Sequence, residues 1–218
     1  MLKITLDKAG KQYNHIWIFS DLSTTLSSGQ ATAILGANGS GKSTLLQVIS
    51  SAIMPTDGKI LYSLNNVEIK PEKVFRHMAM ATPYMELIED FTLTEMVNFH
   101  RRMKPLINNM STAELIRITQ LEANRDKPIK YFSSGMKQRV KLALAILSDT
   151  PALLLDEPTS NLDRNATDWF RNLIELYKGD RLLVISSNSI AAEHDFCKNT
   201  IRMEDYKSRA ANNLRPDK

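Results

Sequence analysis

The stretch of sequence that decides the fold of this chain is Gly36-Ala37-Asn38-Gly39-Ser40-Gly41-Lys42-Ser43-Thr44. It matches the pattern G-x-x-x-x-G-K-[ST] in full. A short apolar run at residues 31–35 precedes it and predicts a buried parallel strand, and a helical pattern follows it and ends near Pro55. Small residues let backbone N–H groups surround a phosphate, and the helix N-terminus adds positive partial charge. The stretch therefore predicts a phosphate-binding loop between a strand and a helix, rather than a glycine-rich turn that happens to precede a lysine.

Two side chains of this loop have specific expected roles. Lys42 is expected to reach the β- and γ-phosphate oxygens of a nucleotide, and the Ser43 hydroxyl is expected to ligate Mg²⁺. All nine residues of the loop, residues 36–44, are candidate nucleotide-binding residues.

A second motif is the apolar strand pattern Ala152-Leu153-Leu154-Leu155 followed by two acids, Asp156 and Glu157. At the carboxyl end of a strand beside the phosphate loop, Asp156 would hold Mg²⁺ directly or through water. Glu157 can accept the proton of an attacking water as a general base. Alone, the pattern could be a strand that leaves the core; together with the phosphate loop it indicates nucleotide hydrolysis.

Composition and periodicity predict a soluble α/β protein. Hydrophobic residues make up 43% and charged residues 24%, which excludes a disordered chain, and a single cysteine excludes an internal disulfide. The net charge of +4 is spread along the chain, so no nucleic-acid partner is expected. No apolar run approaches the ~20 residues that span a bilayer.

Strand and helix patterns alternate at both ends of the chain, which implies a mostly parallel sheet covered on both faces. The predicted strands cover residues 2–6, 16–19, 30–35, 59–62, 152–155, 181–186 and 200–203. The predicted helices cover residues 45–53, 95–102, 112–121, 135–147, 164–177 and 189–196. The helices near the middle interrupt the alternation and indicate an inserted helical lobe, in which Ser111 and Glu114 form a capping box.

The segment Tyr131-Phe132-Ser133-Ser134-Gly135-Met136-Lys137-Gln138-Arg139 resembles the signature motif of the ABC ATPases, usually Leu-Ser-Gly-Gly-Gln. Ser133 and Gly135 match this motif, whereas Phe132, Ser134 and Met136 replace its Leu, first Gly and Gln. The resemblance covers residues 2–203 and implies that the segment contacts the γ-phosphate of ATP held by a second subunit. The candidate residues of this contact are Ser133, Ser134, Gly135 and Met136. A kinase or GTPase is disfavoured because the segment would then have no role.

The resemblance implies a P-loop NTPase of RecA-like architecture, with antiparallel strands near the N-terminus and an inserted α-helical subdomain. Residues 1–218 would form one ATPase domain, with a core at 1–83 and 132–204, a helical subdomain at 84–131 and a polar tail at 205–218. Tyr13 looks like the aromatic residue that stacks on adenine, although it could instead be a half-buried strand residue. The residues that look like the D-loop, which contacts the opposite site, are Ser160, Asn161, Leu162 and Asp163.

Two positions depart from the family pattern. Pro83 lies where the family has a Gln that touches Mg²⁺ and water, and Glu86 is the nearest acceptor. Asn188 lies where a switch His is expected; its amide can donate to the γ-phosphate but cannot carry charge or pass a proton. His194, on the next predicted helix, is expected at the surface. With Lys42, Glu157 and Asn188 as the catalytic candidates, the sequence predicts slow hydrolysis.

The function implied is an ATP-hydrolysing subunit that pairs with a second copy and with a transmembrane permease subunit, on the cytoplasmic face of the cell membrane. Two alternatives remain open: a nucleotide-binding subunit with weak ATPase activity, in a regulatory or asymmetric complex, and a non-transport ABC ATPase. The transported substrate, the direction of transport and the choice between homodimer and heterodimer are not specified by the sequence.

Overall fold

The computed structural model describes residues 1–188 and 190–207. The strands are β1 (Leu2–Tyr13), β2 (Ile16–Ser27), β3 (Ala31–Leu35), β4 (Asp57–Leu64), β5 (Val67–Ile69), β6 (Met78–Ala81), β7 (Ala152–Asp156), β8 (Leu182–Ser187) and β9 (Asn199–Arg202). The helices are α1 (Lys42–Ile49), α2 (Leu93–Met103), α3 (Thr112–Thr119), α4 (Ser134–Ile146), α5 (Arg164–Tyr177) and α6 (Ala191–His194). Short 3₁₀ helices cover Pro71–His77, Ile107–Asn109, Glu122–Asn124, Ile129–Tyr131 and Met203–Tyr206.

The strands form two sheets that confirm the predicted fold class. The first is antiparallel, in the order β2-β1-β4-β5, and the second is parallel, in the order β6-β7-β8-β3-β9. Helices α2 and α3 lie between β6 and β7 along the chain, where the helical lobe is expected. Among the described residues, no helix is both long enough and apolar enough to cross a bilayer.

The central strands of the parallel sheet separate two hydrophobic cores. Leu153 and Leu155 of β7 pack into one core together with the lobe helices α2 and α3 and with helices α4 and α5. Leu154 of the same strand packs into a core with α1 and the antiparallel sheet. Because successive strand residues point to opposite faces, a strand that is apolar throughout fits this double burial.

The helical lobe begins each of its α-helices with a capping box. The predicted box of Ser111 and Glu114 is confirmed: each side chain accepts the backbone N–H of the other, at 3.2 and 2.7 Å. A second box, between Thr92 and Glu95, was not predicted from the sequence. In both boxes these hydrogen bonds lower the pKa of the glutamate.

Several element bounds differ from the prediction for local reasons. Helix α1 ends at Ile49 rather than residue 53 because Ser51 has a left-handed backbone, with φ of 60°. Strands β1 and β2 run further than predicted because bulges after Leu6 let the pairing continue. Strands β5 and β6 are not among the strands predicted from the sequence. Residues 208–218 of the predicted tail lie outside the described residues.

The segment after β8 also differs from the prediction. Helix α6 spans Ala191–His194 only, whereas residues 189–196 were predicted helical, because the chain turns through a Cys197 N–H to His194 C=O bond of 2.8 Å. His194, which is expected at the surface, is half-buried. Its Nε2 atom is buried and has no hydrogen-bond partner among the described residues.

His100 on α2 is a half-buried histidine whose lowered pKa keeps it neutral at pH 7. Its Nε2 lies 2.8 Å from the Ser148 hydroxyl, which donates its own hydrogen to the Leu144 carbonyl at 2.6 Å. Nε2 therefore carries the proton and donates to Ser148. Burial, and then the charge of Lys104, lower the pKa of His100 from 6.5 to about 4.

Because the pKa of His100 is lowered on folding, the free energy of unfolding should depend on pH. Between pH 6.5 and about 4 the unfolded chain binds a proton at His100 that the folded chain does not. The stabilisation is therefore fully present above pH 6.5 and is lost as the pH falls through this window, by about 3 kcal/mol in full. Urea unfolding between pH 7 and 4.5 measures it. His100→Gln should flatten this part of the slope, and His15→Asn, at an exposed turn, should leave it unchanged; equal slopes for the wild type and His100→Gln would contradict the assignment.

Candidate functional site

The loop of residues 36–44 joins the end of β3 to the start of α1, as predicted. Gly41 has φ of 102°, and a Cβ there would lie 2.4 Å from Cγ2 of Ile18, so glycine is required. Gly39, with φ of 75°, has open space where its Cβ would lie. Its open side leaves room for a ligand against the loop.

Lys42 is the centre of the site. It is only 4% exposed, and its Nζ donates to the carbonyl oxygens of Gly36 at 3.0 Å and Ala37 at 3.2 Å. The same ammonium donates to Oδ1 of Asn188 and lies 3.4 Å from Oε1 of Glu157. The structure thus brings together the three residues that the sequence marked as catalytic candidates.

The two acids at the end of β7 have different surroundings. Asp156 is 2% exposed and accepts a hydrogen bond from the hydroxyl of Ser186, its partner across the strand pair. Glu157 is half-buried beside Lys42, and its N–H donates to the Ser186 carbonyl at 3.0 Å. Its φ of 45° is left-handed, which costs about 1–3 kcal/mol in a residue other than glycine. Backbone strain of this size at a candidate base requires surroundings that hold it.

The residues of the loop fit a nucleotide phosphate. The Ser40 hydroxyl is buried with no hydrogen-bond partner among the described residues. The first N–H groups of α1 have no intrahelical acceptor, as in any helix. The N-cap residue Gly41 supplies no side-chain acceptor for them either. With the Lys42 ammonium, these donors suit an anion with several oxygens.

The donors nearby also fit Mg²⁺. Among the described residues, no group of three or more His, Cys, Asp or Glu side chains could hold a metal ion. A single carboxylate with a hydroxyl, here Asp156 and Ser43, suits Mg²⁺, which usually keeps several waters and takes further ligands from nucleotide phosphates.

The segment resembling a signature motif forms the start of α4. Ser133 is the N-cap residue, and its hydroxyl accepts the N–H of Met136 at 3.2 Å. Ser133 and Ser134 are exposed, and no hydrogen bond in the described parts of the chain links them to residues 36–44. A Cβ at Gly135 would lie 3.2 Å from the Asn161 carbonyl, so this segment adjoins residues 160–163.

Among the described residues, no hydrogen bond or ion pair joins Lys42 to Tyr13, Pro83 or Glu86. Tyr13, at the end of β1, is 44% exposed, with Lys11 Nζ 5.1 Å from its ring centroid. Its stacking on adenine stays a prediction. The Pro83 carbonyl accepts a hydrogen bond from Lys141 of α4 at 3.1 Å, and Glu86 is exposed nearby.

Some contacts around the site were not predicted. Gln138 of α4 is buried and donates to the Pro158 carbonyl at 3.0 Å, directly after Glu157. Glu193 of α6 is fully buried and contacts Thr159. Both join positions far apart in sequence, and no periodicity or spacing in the sequence indicates them.

A phosphate-binding loop at the end of β3, with two acids at the end of β7, the second parallel strand along the same sheet, defines a P-loop NTPase. Comparison with known proteins gives the family: the ABC transporter family model matches residues 19–160, more than half of the chain. The chain therefore belongs to the ABC transporter family and is an ABC ATPase cassette.

Curated relatives agree with this assignment. The chain is 30% identical over 180 residues to an uncharacterized ABC transporter ATP-binding protein, YcbN, of Bacillus subtilis (strain 168), covering 82% of this chain and 59% of that protein. It is 28% identical over 198 residues to the lantibiotic transport ATP-binding protein SrtF of Streptococcus pyogenes, covering 88% and 82%. ATP-binding cassette sub-family A member 17 of Rattus norvegicus is 28% identical over 173 residues, covering 77% of this chain but 10% of that protein. The chain thus spans a small part of some relatives and most of others.

Solved structures share the fold. A putative ABC transporter ATP-binding protein from Pyrococcus furiosus has a TM-score of 0.79 at 20% identity, covering 94% of this chain and all of that one. A dimeric bacterial ABC transporter cassette has a TM-score of 0.74 at 24% identity, covering 91% and 93%. A post-hydrolysis dimer of that cassette, bound to ADP and phosphate, has a TM-score of 0.75 at 22% identity, with the same coverage.

Proposed function

We propose that this chain is the ATP-binding and ATP-hydrolysing subunit of an ABC transporter. It works as a pair that closes around ATP and drives a separate transmembrane subunit from the cytoplasmic face of the membrane. The observation that carries the proposal is the meeting of Glu157 and Asn188 at the ammonium of Lys42, at the carboxyl ends of neighbouring parallel strands.

The side chains divide the chemistry among them. Lys42 and the first N–H groups of α1 bind the β- and γ-phosphates. Ser43 and Asp156 would hold Mg²⁺, which when bound would supply positive charge to offset the charge that develops on the phosphates. Glu157 takes a proton from the attacking water, and the Asn188 amide donates to a γ-phosphate oxygen. A phosphate that takes over Lys42 releases Glu157 from its ion pair and leaves this carboxylate available as a base.

A second copy completes the pocket. Ser133 and Ser134 are exposed at the start of α4, where the helix N-terminus favours an anion. In the proposed pair, Ser133, Ser134, Gly135 and Met136 of one copy contact the γ-phosphate bound at residues 36–44 of the other, with residues 160–163 alongside. The dimeric cassette with the same fold supports this pairing. Hydrolysis removes the shared contact and shifts the population towards the open pair.

The helical lobe, predicted at residues 84–131, is the part proposed to contact the transmembrane subunit. A cavity of about 420 Å³ lies between it and the core, with four methionines in its walls. Exposed apolar side chains lie along the same region: Phe75, Tyr84, Met85, Ile88, Phe99 and Met103. These exposed apolar side chains are the ones through which the proposed contact with the transmembrane subunit would form.

An ATP-binding subunit with weak hydrolysis is the second candidate, and Asn188 is the observation that favours it. Its Oδ1 already accepts from Lys42, and an amide cannot pass a proton or carry charge at the γ-phosphate. A non-transport ABC ATPase is a third reading, which copurification of the chain with a transmembrane protein from membranes would exclude.

ATP turnover by the purified assembly, with and without Mg²⁺, tests the proposal. We expect slow, Mg²⁺-dependent hydrolysis by the wild type and at least about tenfold faster turnover by Asn188→His, because a stabilising donor at this place is worth ~10²–10³ in rate. Unchanged turnover by Asn188→His would contradict the role of Asn188. Tight ATP binding without turnover in both proteins would select the binding-subunit function instead.

A further inference from the structure

Glu193 is a fully buried carboxylate that none of the motifs above includes. It lies on α6, and its Oε1 accepts two hydrogen bonds from Thr159: from the N–H at 2.9 Å and from the hydroxyl at 2.7 Å. Its Oε2 accepts the hydroxyl of Ser187. One side chain therefore joins two separate segments of the chain.

These two segments carry the two candidate groups for hydrolysis. Thr159 lies two residues after Glu157, in the turn that follows β7. Ser187 is the last residue of β8 and directly precedes Asn188. The Ser187 hydroxyl also accepts the N–H of Ile190 at 3.1 Å, which ties the chain beyond Asn188 to the same point.

The backbone after β7 needs such support because Glu157 is left-handed. The turn is closed by the Ser160 N–H, which donates to the Glu157 carbonyl at 3.0 Å. Gln138 donates to the Pro158 carbonyl, and Glu193 accepts from Thr159. A strained residue persists only where its surroundings fix it, and these two buried side chains hold the two residues that directly follow the strained position.

The chemistry of Glu193 is also unusual for a residue that only packs. A buried carboxylate is costly unless it is well hydrogen-bonded, and an apolar side chain of similar volume often serves a core at least as well. The donors to Glu193 are neutral, and no Lys or Arg nitrogen lies within 4.0 Å of it in the described ranges.

We propose that Glu193 is a positioning residue for ATP hydrolysis: through Thr159 and Ser187 it fixes Glu157 and Asn188 relative to each other. The inference rests on the proposed hydrolytic function. The hydrogen-bond partners of the Glu193 carboxylate are Thr159 and Ser187 and not Lys42, so we expect its loss to affect turnover rather than nucleotide binding.

The test compares Glu193→Ala and Glu193→Gln in steady-state ATP hydrolysis. We expect Glu193→Ala to lower kcat by about 10–100-fold, because small displacements of a reacting group cost this much. The KM for ATP should change by less than about threefold. Glu193→Gln should recover most of the rate, since its Oε1 can still accept from Thr159 while its amide donates to Ser187. Glu114→Ala is the matched control, because Glu114 also accepts an N–H and a hydroxyl but in the capping box of α3.

Two further measurements separate the possible outcomes. In a double-mutant cycle, Ser187→Ala should have little additional effect on kcat in the Glu193→Ala background. Amide exchange of residues 157–163 and 182–188 should rise in Glu193→Ala and not in Glu114→Ala. An unchanged kcat in active Glu193→Ala, or equal losses in kcat and ATP affinity, would overturn the proposal. If the wild type itself hydrolyses no ATP, the proposed function fails. Amide exchange in Glu193→Ala then still tests the structural role of Glu193: a rise in only one of the two segments would show that Glu193 does not link them.

Discussion

Replacing Glu157 with Gln is expected to lower the kcat of ATP hydrolysis by about 10³-fold while ATP still binds. The carboxylate lies beside Lys42, and an amide of the same size cannot take a proton from water. The substitution also removes a negative charge 3.4 Å from the ammonium that holds phosphate, so ATP affinity should stay the same or rise. Phosphate release under saturating Mg²⁺-ATP, together with ATP binding by calorimetry, measures both effects.

The same variant tests the composite pocket. With hydrolysis blocked, Glu157→Gln should form an ATP-dependent dimer in which a crosslinker placed at Ser133 reaches the nucleotide of the other copy. Glu175→Gln is the control, since Glu175 is an exposed partner of Lys178 on α5. A kcat for Glu157→Gln within about threefold of the wild type would show that another group acts as the base.

Replacing Lys42 with Ala is expected to weaken ATP binding by about 10²-fold, a loss of roughly 3 kcal/mol. Its ammonium is buried, and four oxygen atoms of the protein already surround it. In the proposed complex the phosphates become further partners, so the variant loses the strongest single contact with ATP. Titration with a fluorescent ATP analogue measures the dissociation constant.

Lys59→Ala provides the matched control for charge. Lys59 pairs with Asp7 at 3.7 Å on the exposed surface of the antiparallel sheet, and its loss should not change ATP affinity. Lys42→Arg is not expected to restore binding, because a planar guanidinium does not replace a compact ammonium enclosed by backbone carbonyls. An affinity of Lys42→Ala within about twofold of the wild type would place the phosphates elsewhere.

The convergence of Lys42, Glu157 and Asn188 could be predicted from the sequence because each follows a strand pattern. Carboxyl ends of neighbouring parallel strands meet at one edge of a sheet, so residues more than a hundred positions apart become neighbours. The order of the strands could not be read from the sequence, since β3 lies between β8 and β9 only after the chain has crossed over the sheet.

The supports of the site could not be predicted. Gln138 holds the turn after Glu157 through one hydrogen bond and Glu193 holds it through two, and these contacts leave no repeat or spacing in the sequence. The left-handed backbone of Glu157 is equally hidden, because glutamate rarely takes this conformation and nothing local requires it. Helix α6 is shorter than the helical pattern of residues 189–196 because the chain turns after His194, through the hydrogen bond from the Cys197 N–H to the His194 carbonyl.

Because β7 is buried on both faces, its apolar side chains do not by themselves fix the register in which it pairs with β8. If β7 slipped by one residue, Leu154 would exchange places with Leu153 and Leu155, and both cores would still receive apolar side chains. Apolar burial alone therefore discriminates poorly between the native and the slipped pairing. The bond from Ser186 to Asp156 at the end of the strands does discriminate, because a slip would leave a buried carboxylate without its donor. The aspartate that we propose as a metal ligand therefore also favours the native pairing of β7 with β8.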